Sequence, residues 1–319
     1  MTDLKTLKKR APLGDIGNLP NLKTWNYSYP KPGIISNEHN NHEMRDSVFY
    51  DAFRDDKHPV DSILLSDIYK DLLYSEENNR VDLIILQNRK GINMDNRCAL
   101  VDWLIEQSGL YNFSSDILHR SVYYVDIFLT KKDVLLQEFQ TLGASALFLA
   151  CKFESSSFPT ASFISKEMTW YAVSAKEILN MEKNILRTLD YNLRYPTSCS
   201  FIDLFRSVHT FPLKVYYLSH YLSEIALLDE CICAKFLPSE IGAACCMQAN
   251  ILGGNKPIWP TGLKKLTNLD FKDVLKVMKP LMRKFVIINK SRNKEVFFKY
   301  SADKYGCVAQ LLCPDIEFP

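Results

Sequence analysis

What these 319 residues lack sets most of their limits. The sequence has no glycine-rich phosphate loop, no G-x-S-x-G, no H-E-x-x-H and no pair of histidines at ligand spacing, so these nucleotide, hydrolase and metalloprotease chemistries have no support. No apolar run reaches membrane-spanning length, and the opening Met-Thr-Asp-Leu-Lys has no apolar signal core, so a soluble intracellular protein is expected. A formal net charge of +2 argues against nucleic acid or a membrane surface as the main partner. Nine cysteines are present without a C-x2-C pair, which excludes the usual zinc spacings and points to reduced thiols. Cys98, Cys151, Cys245 and Cys246 lie in apolar helical runs, where a thiol packs as a small hydrophobe. No cofactor or metal is expected. An enzyme using a Cys–His pair stays open, because such partners meet only in space.

What the chain does have is helical periodicity. Residues 1–60 are the exception, with Pro12, Pro20, Pro30, Pro32 and Pro59 and a polar run through His42; they read as a disordered tail. From Asp61, the spacing of Ile63, Leu64, Ile68, Leu72 and Leu73 predicts a first amphipathic helix. Further helices follow at 97–107, after Ser114-Ser115-Asp116, over Phe139–Phe153, near 161–170, and from the capping box Ser174-Ala-Lys-Glu177 to Leu189. Gly143, Ala144 and Ser145 crowd the middle of the 139–153 run. A glycine there costs about 1 kcal/mol relative to alanine, so close approach of neighbouring helices is the expected reason.

The pattern then recurs. Pro196 ends the first block, and helices are predicted from Phe201, over Val215–Leu228, from Pro238, and over Asn268–Ile288 with a kink at Pro280. The Gly242-Ala243-Ala244 crowding repeats that of 143–145, and Val215-Tyr-Tyr217 repeats Val122-Tyr-Tyr124. Residues 301–312 are read as a last short helix. With no sustained period-two alternation, the fold class is all-α: two tandem five-helix repeats, 61–195 with a preceding helix and 196–319, behind the 1–60 tail.

Some charged residues sit in apolar company. Glu182 projects within the arc of Ile178, Ile185 and Leu189, where a carboxylate meets a cation, amide donors or water, or else marks a solvated helix edge. Lys152, at the margin of the 139–153 stripe, is placed to cap carbonyls. Arg97 and Asp126 are placed to form an internal ion pair, a structural role. Leu100 and Trp103 read as core or as an exposed groove, with core the default.

Arg97-Cys-Ala-Leu-Val-Asp-Trp-Leu-Ile-Glu106 resembles the opening helix of a cyclin box. Val125-Asp-Ile-Phe-Leu129, Ala150-Cys-Lys-Phe-Glu154 and Asn180-Met-Glu182 are similar to its second, third and fifth helices, and Leu193-Arg-Tyr-Pro-Thr197 to its inter-repeat link. Phe236-Leu-Pro-Ser239 and Trp259-Pro260 look more like A-type than B-type mitotic cyclins. The likeness runs from about 61 to 312 and implies a non-catalytic regulatory subunit that activates a cyclin-dependent protein kinase in S, G2 or M phase.

By that resemblance Lys152 and Glu182 contact the kinase, with Phe153, Leu186, Tyr191 and Leu193 as apolar support. An acid and an amine left unneutralised by their own chain would suit that role, waiting for a partner. The resemblance also implies a patch docking Arg-x-Leu substrates or inhibitors at Asn96, Ala99, Leu100, Trp103, Glu106 and Gln140. Asn96 and Ala99 stand where the family has methionine and isoleucine, so weakened or altered docking is expected. Thr141 replaces a usual leucine, and Glu154-Ser-Ser-Ser157 lacks a second acid.

In the tail, Arg10-Ala-Pro-Leu-Gly-Asp-Ile-Gly-Asn18 resembles the destruction box of mitotic cyclins, with Arg10, Leu13, Ile16 and Asn18 at its offsets. This implies recognition by a ubiquitin ligase and proteolysis, with Lys5, Lys8, Lys9 and Lys23 as candidate acceptors. Location in nucleus and cytoplasm is expected, although Lys8-Lys9-Arg10 is too short to establish a nuclear signal. A cyclin-fold transcription factor contacting DNA and polymerase is the rival reading; it would want a basic face or a zinc ribbon.

Overall fold

A computed structural model describes residues 62–81, 83 and 92–311, and among these every regular element is helical. After α1 (Ser62–Asn78), the first repeat comprises α2 (Met94–Leu110), α3 (Ser115–Lys131), α4 (Phe139–Glu154), a helical turn at Ala161–Phe163 continuing into a π-turn at Ile164–Met168, and α5 (Ala175–Thr188). The second comprises α6 (Ser198–Val208), α7 (Leu213–Leu227), α8 (Glu230–Lys235), α9 (Pro238–Leu252), α10 (Thr261–Thr267) and α11 (Phe271–Ser291), with α12 (Glu295–Tyr300) beyond it.

Each repeat is built around one nearly all-buried helix. Every residue of α4 from Phe139 to Cys151 is buried, as is α9 from Ile241 to Asn250. A helix apolar on all sides has neighbours on all sides, and the glycines show where they come closest. A Cβ on Gly143 would lie 2.5 Å from Leu100 Cδ1 of α2, and one on Gly242 would lie 3.0 Å from Phe201 Cβ and the Ser198 carbonyl of α6. The crowding read from sequence therefore has its physical cause in two helix crossings.

The periodicity of α1 misleads. Ile63, Leu64 and Ile68 are exposed, Ile63 by 69%, while Leu65, Tyr69 and Glu76 are buried. Tyr69 meets the Phe201 ring edge-on at 6.1 Å, and the Glu76 carboxylate accepts the Ser239 backbone N–H at 2.9 Å at the start of α9. α1 thus docks on the second repeat through the face one residue offset from the apolar stripe. The elements α8, α10 and α12 escaped sequence reading, being six, seven and six residues long. Residues 301–311 form two 3-10 turns, Asp303–Tyr305 and Val308–Gln310, instead of one helix.

The repeats are joined by buried polar contacts. Glu224 of α7, fully buried, accepts from Lys299 Nζ at 2.6 Å and Tyr300 Oη at 2.9 Å of α12, while Lys299 also reaches Ser108 of α2 at 3.4 Å. Nearby, His119 of α3 is buried with Nδ1 2.9 Å from the Ser115 carbonyl. Burial pushes its imidazole down to about 4, against the upward pull of Glu224. A folded-state value below the usual 6.5 means that the neutral ring contributes stability above that pH, lost as pH falls through about 4. Urea unfolding followed from pH 7 to 4 should show a smaller fall in stability for His119→Gln than for the native chain; equal slopes would refute this.

At the α2–α4 crossing, Gly143→Ala should destabilise by about 1–3 kcal/mol despite alanine's better helix propensity, because Leu100 is fully buried and has nowhere to move. Thermal unfolding of the variant measures this.

Candidate functional site

Two helices and a linker meet on one side of the first repeat. α4 stops at Glu154 because Ser155 turns to extended backbone, its N–H closing on the Cys151 carbonyl. α5 starts from a capping box in which the Ser174 hydroxyl accepts the Glu177 N–H at 3.2 Å and the Glu177 carboxylate accepts the Ser174 N–H at 2.8 Å. It ends in a Schellman turn: the Tyr191 N–H reaches the Leu186 carbonyl at 2.9 Å and the Asp190 N–H reaches Arg187, with both residues at positive φ. That turn throws the Tyr191 side chain outward, leaving it 68% exposed.

Lys152 and Glu182 meet where α4 crosses α5. The Lys152 ammonium pairs with Glu182 Oε1 and lies 4.7 Å from the centroid of the Phe148 ring. The unneutralised acid expected from the sequence is therefore corrected: acid and amine neutralise each other within the chain. Nor is Glu182 at a solvated edge, since it is buried, while the Lys152 side chain remains 32% exposed. Around the pair the surface is apolar. Phe153 and Leu179 are each 41% exposed, and Leu186 and Leu193 are half-buried. Sequence reasoning missed Leu179, although it stands one turn before Glu182 and two before Leu186 on the same stripe of α5.

Arg97, 1% exposed, donates from Nε and a terminal nitrogen to the two oxygens of Asp126 at 2.7 and 2.6 Å, and from its other terminal nitrogen to the Leu227 carbonyl at 2.9 Å. The desolvated guanidinium stays charged, held by the carboxylate.

The six residues of the expected docking patch lie on α2 and the start of α4. Leu100 and Trp103 are core, Leu100 packing on Gly143, and Gln140 is buried; Ala99 and Glu106 are half-buried. Asn93 is the N-cap of α2, and Asn96 three residues on completes the capping box, the two exchanging side-chain and backbone hydrogen bonds at 2.9 and 3.0 Å. The asparagine at this position is thus employed in holding the helix start. Arg10, Leu13, Ile16 and Asn18 lie outside the described residues.

Burial pushes the Cys151, Cys233 and Cys246 thiols up to about 12, which keeps them protonated at neutral pH. Among the described residues no group of His, Cys, Asp and Glu is placed to hold a metal. What the geometry defines is an all-helical, two-repeat fold with exposed apolar side chains around an internal ion pair.

Comparison with known proteins assigns that fold. Residues 67–194 match the model of the cyclin N-terminal domain and residues 196–314 that of the cyclin C-terminal domain. The chain is 30% identical to the G2/mitotic-specific cyclin-A of Patella vulgata over 88% of its own length and 66% of that protein's. It is 29% identical to Cyclin-A2 of Gallus gallus over 98% of its own length and 75% of that protein's. A viral cyclin from herpesvirus saimiri superposes with a TM-score of 0.59 at 17% identity, covering 69% of this chain and 96% of that one, and so shares the fold. The chain belongs to the cyclin family, and its A-type mitotic relatives are matched over most of its length. It spans about two thirds of the Patella vulgata protein.

Removing one partner of the buried Arg97–Asp126 pair, as in Arg97→Met, should cost about 3–5 kcal/mol in urea unfolding, because it strands a desolvated charge. Arg97→Met with Asp126→Leu should cost less than either single change; a larger loss in the double variant would contradict this account.

Proposed function

We propose that this chain is the regulatory subunit of a cyclin-dependent protein kinase, acting in cell-cycle control without contributing a catalytic group. The observation that carries the reading is the ledge of Phe153, Leu179, Leu186 and Tyr191 around the Lys152–Glu182 pair, in a chain of cyclin fold. Exposed aromatic and aliphatic anchors around a fixed polar pair are what a well-packed interface needs. The outward end of Lys152 donates to partner carbonyl or carboxylate oxygens, and the apolar side chains supply the buried area. Pressed against this ledge, a mobile kinase helix carries its glutamate inward to complete the Lys–Glu pair required for phosphoryl transfer. The cyclin acts by binding that arrangement better than its alternative, and a shift from 1:99 to 99:1 needs about 5.5 kcal/mol of differential affinity.

Removal of the protein follows from the tail. The nine residues Arg10–Asn18 serve as a destruction box for a ubiquitin ligase. Docking of Arg-x-Leu segments, by contrast, draws little support from α2, whose Leu100 and Trp103 are covered.

Titrating the purified chain into a monomeric cyclin-dependent kinase should stimulate histone phosphorylation. Leu179→Asp with Tyr191→Ala should reduce that stimulation by at least about tenfold, as expected for losing interface anchors, with little change in melting temperature because both side chains are exposed. Absence of stimulation by the native chain would refute the reading. For the tail, Arg10→Ala with Leu13→Ala should lengthen the half-life in mitotic extract; unchanged turnover would remove the degron.

A further inference from the structure

On the inner side of the ledge lies Arg120 of α3, which neither its sequence context nor the family resemblance singled out. It is 8% exposed, yet its guanidinium engages four groups from two other parts of the chain. It donates Nε–H to Glu154 Oε1 at the end of α4 and donates from one terminal nitrogen to the carbonyls of Leu193 and Tyr195 at 3.0 and 3.1 Å. Its central carbon sits 4.5 Å from the centroid of the Phe153 ring. The same stretch of α3 holds the linker twice more: Tyr124 Oη donates to the Leu193 carbonyl at 3.3 Å, and the Tyr123 ring stacks on Tyr195 at 3.8 Å.

We infer that Arg120 is a positioning residue for kinase binding, fixing the Phe153 ring and the Leu193 backbone in the orientation the partner meets; this rests on the function proposed above. A phenylalanine half-exposed at a helix end is ordinarily free to change rotamer, and stilling it on binding costs affinity. Here one face of the ring lies against a cation whose own position is over-determined by a carboxylate and two carbonyls. The planar fork of arginine allows it to satisfy all of these while its central carbon stays over the ring; the point charge of lysine cannot. The ledge is therefore ordered before the partner arrives, and its two edges, Phe153 and Leu193, are held in register by one side chain.

The test uses the full chain with 4-fluorophenylalanine placed at position 153, and a double-mutant cycle of Arg120→Lys and Phe153→Ala on kinase affinity. All variants are compared well below their own melting temperatures, so that only folded protein is measured. In the free chain, Arg120→Lys should move the fluorine resonance toward that of a solvated ring. Arg120→Lys should weaken kinase binding by up to about tenfold, the loss expected on freeing a side chain the interface must order. Phe153→Ala should also weaken binding, and adding Arg120→Lys to it should weaken binding little further. An unmoved fluorine signal overturns the positioning role whatever the kinase does. A moved signal with additive binding losses, or with none from Arg120→Lys, overturns the claim that positioning serves the partner. A moved signal in a chain that binds no kinase overturns the function proposed above and the presenting role with it, leaving only a packed ring.

Discussion

The arrangement of the whole molecule depends on the guanidinium of Arg97. With two donors on Asp126 and a third on the Leu227 carbonyl, this side chain ties α2 to α3 and both to the end of α7 in the second repeat. A cation placed there is costly unless every donor finds an acceptor, so the contact fixes the relative position of three elements at once. α3 then carries that order outward. One turn from Asp126, its Tyr123 and Tyr124 hold the linker, and Arg120 holds the linker and the end of α4. The ledge is assembled on a helix that is itself pinned at the repeat boundary.

The internal Lys152–Glu182 pair changes what the proposed function asks of a partner. A lone buried carboxylate would make binding a rescue of an unstable surface, and the free protein would carry the cost. With acid and amine already joined across the helix crossing, the pair stabilises the crossing and keeps its orientation in the free chain. On the proposed function, what a partner would then meet is an ordered dipole with an outward ammonium, set among apolar side chains. On the same proposal, such a group would contribute register and selectivity more than raw affinity, which would fall to Phe153, Leu179, Leu186 and Tyr191.

Much of the fold was legible because the core is periodic over long helices. The small-residue clusters at 143–145 and 242–244 announced the two central helices, and the capping box at Ser174–Glu177 announced the start of α5. α8, α10 and α12 were not legible, since six or seven residues span too few turns for periodicity to register. α1 misled for a different reason: its apolar side chains lie on more than one face, and the partner surface chose the face of Leu65 and Tyr69 over that of Ile63 and Ile68. At the site, spacing placed Glu182 in an apolar arc but carried no information about Lys152, thirty residues earlier, because the angle at which α4 crosses α5 is a tertiary property. Arg120 was hidden likewise: two of its acceptors are backbone carbonyls with no sequence signature, and the third, Glu154, lies on another helix.

The duplication of the fold did not duplicate the ledge. Superposing Gly143 on Gly242 in register sets Lys152 and Phe153 against Ile251 and Leu252, at the end of α9. The second repeat thus carries aliphatic side chains where the first has an ammonium and an aromatic ring, and α9 runs straight into Gly253 and Gly254 where α4 continues to Glu154. Likewise, aligning the two Val-Tyr-Tyr motifs sets Asp126 against Ser219, which donates to the Val215 carbonyl one turn back in its own helix instead of anchoring a guanidinium. Both repeats keep the glycine that lets a neighbour cross the central helix, because each core needs it. Only the first carries a charged and aromatic helix end. The asymmetry fits the partner surface proposed on the first repeat, while the second repeat holds α1 through Ser239 and α2 through the Leu227 carbonyl.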